Sequence, residues 1–228
     1  MQQLLIFDMD GVLLDSEPLY RNMNQVLFRE LGAEITEEEY EAFIGISATK
    51  MWQYIKEKCG LPQTVEELKA LEKERKHQTL LQTNLAPTAG IVAFLDHLKQ
   101  TGHTLALASS SLQKNIGLIL SKLDIAHYFD LIVSGEQVAN GKPEPDIFLK
   151  AAAHYNQPPA NCIVIEDSRN GVQAAKAAGM FCIGYYNPNS GNQDLSQADL
   201  IIDNFADERL LQIFGLTGKK IPEPTCNR

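Results

Sequence analysis

The chain has 228 residues, 44% of them hydrophobic, enough for one sizeable core or for a core with a small accessory unit. Charged residues make up 21%, and no long stretch is low-complexity, which argues against disorder over most of the length. Twenty Lys and Arg against 29 Asp and Glu give a net charge of -9 with no basic stripe, which argues against a nucleic-acid partner. An anionic small substrate stays open, because a metal and a few local cations reverse the field inside a site. The cysteines, Cys59, Cys162, Cys182 and Cys226, form no C-x-x-C pair and read as reduced thiols. Met1-Gln2-Gln3 brings neither a basic segment nor a cleavage site, and no apolar run approaches the roughly 20 residues that span a bilayer. A cytoplasmic protein without a membrane partner is expected, and a monomer is the default.

Along the chain, Leu4 to Phe7 is a short apolar run that stops at Asp8, the pattern of a buried parallel strand. From about Pro18 to Thr83 the pattern is helical throughout. Thr36-Glu37-Glu38-Glu39 and Thr64-Val65-Glu66-Glu67 read as helix starts, and Gly45 and Gly60-Leu61-Pro62 as breaks. Met51 and Trp52 read as packing within this segment, and Glu66 to Lys76 as a solvated helix face laced with i,i+4 pairs. Pro87 marks the return to strand-helix alternation. Helices are expected at Ile91–Gln100, Asn115–Leu123, Ile147–Tyr155 and Gly171–Ala178. Strands are expected at Thr104–Ala108, Leu131–Val133, Cys162–Ile165, Phe181–Gly184 and, more weakly, Leu200–Ile202. The tail from Gly218 to Arg228, with Pro222 and Pro224, reads as loose. The fold class is therefore α/β. A parallel sheet covered on both faces forms a core domain from residues 1–15 and 86–228, and residues 16–85 form an inserted all-helical domain.

Polar clusters sit where the apolar runs end. Asp8 and Asp10 follow the first strand, Ser109, Ser110 and Ser111 the second, and Glu166 and Asp167 the fourth. Lys142, in Gly141-Lys142-Pro143, lies in the connection after the third. The carboxyl ends of parallel strands form one edge, so these groups converge there. Four carboxylates together repel unless a cation joins them, and hard oxygen donors suit Mg2+, which also holds phosphate oxygens. Lys142 adds a point charge, and the Ser109 hydroxyl, with Ser110 beside it, donates towards a phosphoryl group. Asp8 can then attack phosphorus to form an aspartyl phosphate. Asp10 can protonate the leaving group and later activate the acceptor. Gly11 lets the chain turn sharply there. Asp-x-Asp-Gly alone is a weak signal, but it misplaces its glycine for a calcium loop of the EF-hand kind. Ser110 or Ser111 can alternatively cap the next helix, and Glu166-Asp167-Ser168 can cap a helix starting near Asn170. The five histidines, His77, His97, His103, His127 and His154, share no spacing and read as surface residues.

The segment Asp8-Met9-Asp10-Gly11-Val12-Leu13-Leu14-Asp15-Ser16-Glu17-Pro18 resembles the signature of the haloacid dehalogenase superfamily. Leu107-Ala108-Ser109, Gly141-Lys142-Pro143 and Ile165-Glu166-Asp167-Ser168 resemble its second, third and fourth motifs, in order. The helical insertion resembles the cap of the β-phosphoglucomutase-like branch. The resemblance implies a doubly wound, Rossmann-like core and a mobile cap, and the domain boundaries place its hinges near Leu14–Glu17 and Leu85–Thr88. It also implies Mg2+ held by Asp8, the backbone carbonyl of Asp10, and Asp167, with Glu166 assisting directly or through water. An acid at position 10 implies phosphate-ester chemistry rather than attack on carbon.

Two departures separate a phosphatase from a mutase. The arginine with which the mutases grip a distal phosphate falls on Ala48 here, with Lys50 only a partial substitute. The cap histidine is also absent, and Tyr20 lies near its place. The expectation is Mg2+-dependent hydrolysis of a small phosphorylated metabolite such as a sugar phosphate. A β-phosphoglucomutase-type phosphomutase is the alternative. A non-enzymatic phospho-acceptor such as a receiver domain is the more distant one, since receivers are about half this length and lack a partner like Asp10.

Overall fold

The computed structural model describes residues 3–219 and 221. Its centre is a six-stranded parallel sheet. The strands are β1 (Leu4–Phe7), β2 (Thr104–Ser109), β3 (Leu131–Ser134), β4 (Cys162–Glu166), β5 (Phe181–Tyr185) and β6 (Leu200–Ile202). Their spatial order, β3-β2-β1-β4-β5-β6, is that of a doubly wound Rossmann-like sheet, so the connections leave β1 in opposite directions. Register then fixes what lies at the carboxyl edge. Phe7 pairs with Leu107 on one side and Ile165 on the other, and Asp8 donates its backbone N–H to the Ile165 carbonyl at 2.9 Å. Asp8 therefore emerges between the ends of β2 and β4.

Strand alternation divides the core between the two faces of the sheet. Leu5, Phe7, Leu105, Leu107, Ile163 and Ile165 join a large cluster with α5 (Ile91–Gln100), α6 (Gln113–Lys122) and α9 (Glu208–Ile213). Leu4, Ile6, Ala106, Ala108, Cys162 and Val164 face α7 (Asp146–His154) and α8 (Arg169–Ala177). Alanines on both sides of that second contact let these helices pack close to the sheet.

All six expected strands form, and four run one residue longer than hydropathy suggests. Ser109 pairs with Ser134, and Glu166 with Gly184, so the ladder continues into polar residues whose side chains are nonetheless buried. The four expected core helices, α5 to α8, sit within two residues of their expected bounds, and α9 is not among those expected. The loose tail expected beyond Gly218, and Cys226 within it, fall mostly outside the described residues; Ile221 is buried against the main cluster.

Four helices lie between β1 and α5: α1 (Glu17–Glu30), α2 (Glu37–Phe43), α3 (Ala48–Cys59) and α4 (Val65–Gln82). Thr36 and Thr64 both start their helices with complete capping boxes, each closed by the glutamate three residues on. These helices share a cluster of their own around Trp52, with Leu27, Phe28, Tyr40, Ile55 and Leu68. Phe28 meets the Trp52 ring edge-on at 5.6 Å, and the indole N–H donates to Glu72 at 2.6 Å. Met51 and Trp52 are thus packing residues. Trp52→Ala should cost about 3–5 kcal/mol of stability, read by urea denaturation followed by circular dichroism. A cost under about 1 kcal/mol would show that the insertion does not depend on this ring.

Candidate active site

The floor of the site is a buried charge cluster. Lys142, carried by the β3–α7 connection, places its ammonium 2.5 Å from Asp8 Oδ1, 2.6 Å from Glu166 Oε1 and 3.2 Å from the Ala108 carbonyl. The other oxygen of Glu166 accepts from the Ser168 N–H and hydroxyl, both at 2.9 Å. Ser168 in turn caps α8 by accepting from the Gly171 N–H. Asp167 accepts from the Ser190 hydroxyl at 2.5 Å. The three consecutive residues 166–168 thus perform three different tasks, and only Ser168 is a cap.

One ammonium serves three buried carboxylates. Burial, with the charge of Glu166, pushes the Asp8 carboxyl up to about 7 despite the opposing pull of Lys142. Burial and the charges of Glu166 and Asp8 push Asp167 well above the usual carboxylate range. Burial alone would lower Lys142, but Asp8 and Glu166 outweigh it and hold the ammonium form. The floor is therefore short of positive charge, and its carboxylate oxygens are the donor set that suits a hard divalent cation. Among the described residues no three acidic, His or Cys side chains gather into a ready-made metal cage. A cation that takes one or two carboxylates and keeps waters fits this arrangement.

Asp10 stands apart from that cluster. It accepts from the Ser111 hydroxyl at 2.8 Å and from the Tyr20 hydroxyl at 3.0 Å, one on each oxygen. Burial works to raise its pKa, but Lys76 and the hydrogen bonds from Ser111, Ser16 and Tyr20 prevail and hold it below the ordinary value. Lys76 also sits 3.6 Å from the centre of the Tyr20 ring. Of the serines, Ser109 is buried and accepts from the Ser111 N–H at 3.1 Å, while Ser110 is exposed at the rim of the cavity. Neither Ser110 nor Ser111 caps α6. Its N-cap position is Leu112, and Glu136 accepts from the Gln113 N–H instead.

All the expected site residues, Asp8, Asp10, Ser109, Ser110, Lys142, Glu166 and Asp167, line one cavity of about 710 Å³. The opposite wall comes from the insertion, and here the sequence expectation needs correction. Residues 66–76 are not simply a solvated face, because Lys69, Glu72, Lys73 and Lys76 turn towards the cavity. The i,i+4 ion pairs do not form in this stretch, where Lys69 pairs with Glu66 at i,i+3. Lys50, the partial substitute for an arginine, does not line the cavity, whereas Ala48 does. Tyr20 and Ser111 are the other contributors that motif spacing missed. The Ser109-Ser110-Ser111 run and the position of Tyr20 near the place of the absent cap histidine were the available signals, and neither says which carboxylate they bind. No histidine lines this cavity, and His77 pairs instead with Asn115 across α4 and α6 at 2.7 Å.

Gly11 makes the close approach possible. Its φ is +82°, and a Cβ there would stand 1.9 Å from Asp167 Oδ2. Gly11→Ala should therefore displace Asp167 and lower turnover of para-nitrophenyl phosphate by at least about tenfold, on the scale of losing a supporting group. An alanine variant with wild-type turnover would show that this contact does not constrain the site.

Comparison with known proteins agrees with this geometry. A family model described as haloacid dehalogenase-like hydrolase matches residues 5–185. The chain is 36% identical over 181 residues to a phosphorylated carbohydrates phosphatase of Thermotoga maritima, covering 78% of this chain and 82% of the relative. It is 32% identical over 209 residues to β-phosphoglucomutase of Bacillus subtilis, covering 89% and 90%. Among solved structures, CbbY of Rhodobacter sphaeroides in complex with phosphate superposes with a TM-score of 0.79 at 27% identity, over 91% of this chain and 96% of that one. Sheet order, the ordered motifs and these similarities agree: the chain belongs to the haloacid dehalogenase-like hydrolases, in their β-phosphoglucomutase-like branch.

Proposed function

We propose that this phosphoric monoester hydrolase removes the phosphoryl group of a small phosphorylated carbohydrate through an aspartyl phosphate on Asp8. The observation that carries this reading is the pairing of two differently treated aspartates. Asp8 sits on the floor against Lys142, and Asp10 is held separately by Tyr20 and Ser111. Their separate settings let one attack while the other moves protons: a cation on the floor would favour the ionised form of Asp8, and the anionic phosphate favours the protonated form of Asp10.

In the first half-reaction an Asp8 oxygen forms a bond to phosphorus as the bond to the sugar oxygen breaks. Lys142 and Ser109 meet the charge on the phosphoryl oxygens. Asp10 delivers a proton to the leaving sugar oxygen; the arriving phosphate dianion raises its proton affinity for this step. In the second half-reaction Asp10, now ionised, takes a proton from water as that water attacks phosphorus. Phosphate leaves and Asp8 is restored. Mg2+ fits the charge deficit of the floor: Asp8, Asp167 and the Asp10 carbonyl would hold it with help from Glu166, and it would supply positive charge to the phosphoryl oxygens. Residues 16–85 act as a cap whose movement admits substrate and excludes water. A cavity of about 710 Å³ is of a size for a sugar phosphate.

Hydrolysis is favoured over mutase chemistry because no arginine is among the described residues that line this cavity, and Ala48 stands where the mutase resemblance expects one. The lysines of α4 are point charges without an arginine's two-pronged grip.

Three measurements test this function. Para-nitrophenyl phosphate should be turned over with Mg2+ present, and not after chelation or in Asp8→Asn. Asp10→Ala should slow turnover on the order of 10²–10⁴-fold while Mg2+ still binds, since only a backbone carbonyl of that residue is assigned to the metal. In a screen of phosphorylated sugars, inorganic phosphate should appear with turnover. Conversion of β-glucose 1-phosphate to glucose 6-phosphate with little phosphate released would overturn the hydrolase assignment.

A further inference from the structure

The connection from β5 to β6 takes no part in the chemistry above, yet it touches four parts of the site. Asn187, buried, donates from Nδ2 to the Gly11 carbonyl and to Asp15 Oδ1, each at 3.2 Å, and Asn189 donates to Asp15 Oδ2 at 2.5 Å. These bonds hold the loop against the segment that leads from Asp8 into the cap. Ser190, also buried, donates to Asp167 Oδ2. Gln193 then accepts from the Arg169 N–H at 2.9 Å through Oε1 and donates from Nε2 to the Ser190 carbonyl at 3.1 Å.

The same loop meets the cap at close range. A Cβ on Gly191 would lie 3.0 Å from Ile44 Cγ2, and a Cβ on Gly45 would lie 2.9 Å from Gln193 Nε2. Both glycines have positive φ, at +72° and +84°, so each contact depends on a backbone that carries no side chain. Beside them, Asn170 Nδ2 donates to the Gly45 carbonyl at 3.2 Å. Gln193 therefore stands between the cap glycine and the serine that holds Asp167.

We infer that this loop is a positioning element: Ser190 aims the Asp167 carboxylate, and Gln193 carries the docked position of the cap to that aim through Gly45. The physical basis is that a carboxylate turns freely about its last bond unless one oxygen is held. Partners that hold a metal ligand in this way commonly contribute 10- to 100-fold in metal affinity or activity. The inference rests on the assignment of Asp167 as a metal ligand.

The test uses the whole chain and Mn2+ as probe, with free Mn2+ read by electron paramagnetic resonance. Asp167→Asn should bind Mn2+ most weakly. Ser190→Ala should weaken binding by on the order of tenfold with an unchanged thermal midpoint, and Ser190→Thr, which keeps the hydroxyl, should restore it. Gln193→Ala should raise KM for a sugar phosphate more than it lowers kcat, because the docked cap is what it supports. Wild-type Mn2+ affinity in Ser190→Ala, with or without a lowered thermal midpoint, overturns the proposal. So does Ser190→Thr binding as weakly as the alanine variant, or a fall in kcat at constant KM in Gln193→Ala. Wild-type affinity in Asp167→Asn instead refutes the metal-ligand assignment itself, and the inference falls with it.

Discussion

A single buried ammonium, that of Lys142, lies between two buried carboxylates with a third nearby, and the rest of the structure is arranged around that charge imbalance. Buried ion pairs contribute little net stability once desolvation is counted, so such a cluster is poor evidence for a stabilising role. Its meaning lies in what it leaves over. With Asp8 and Asp167 both pushed up by burial and by the charge of Glu166, the floor is a place where an added cation relieves repulsion, and with that cation it suits the oxygens of a phosphate.

Sheet topology makes that cluster possible. Reversal of strand order at β1 leaves the ends of β1, β2 and β4 side by side, and parallel register brings them level. Residues separated by more than a hundred positions then share hydrogen bonds, as Ser111 and Asp10 do. Two glycines provide the clearance. Gly11 leaves room for Asp167, and Gly171 leaves room for Glu166, whose carboxyl carbon would stand 1.9 Å from a Cβ there. A side chain at either glycine would displace a carboxylate of the floor.

The helical insertion completes the site from the other side. It has its own core around Trp52, yet the ends of α1 and α4 reach the main core through Tyr20 and Leu80. Tyr20 binds Asp10 and stacks under Lys76, so the carboxylate proposed as acid and base is held from both insertion and core. The β5–β6 loop makes a second crossing, through Gly45 and Gly191. Docking of the insertion and readiness of the site are thus physically linked at two places.

Sequence alone determined the six strands and helices α5 to α8 of the core, because apolar runs of three to five residues ending in polar groups are local patterns; it did not show α9. It also singled out Asp8, Asp10, Ser109, Ser110, Lys142, Glu166 and Asp167, which line one cavity, because each sits at or just beyond the end of a strand or in the connection after β3, where the edge rule applies. It could not show that α4 turns Lys69, Lys73 and Lys76 towards the cavity, since a helix polar on all sides carries no periodicity to say which face is wet by solvent and which by a site. Nor could it assign Tyr20 and Ser111 to Asp10, or Ser190 to Asp167. Those pairings join elements whose relative placement is set by the packing of sheet, insertion and loop, and a hydrogen bond between distant residues leaves no trace in the spacing of either one.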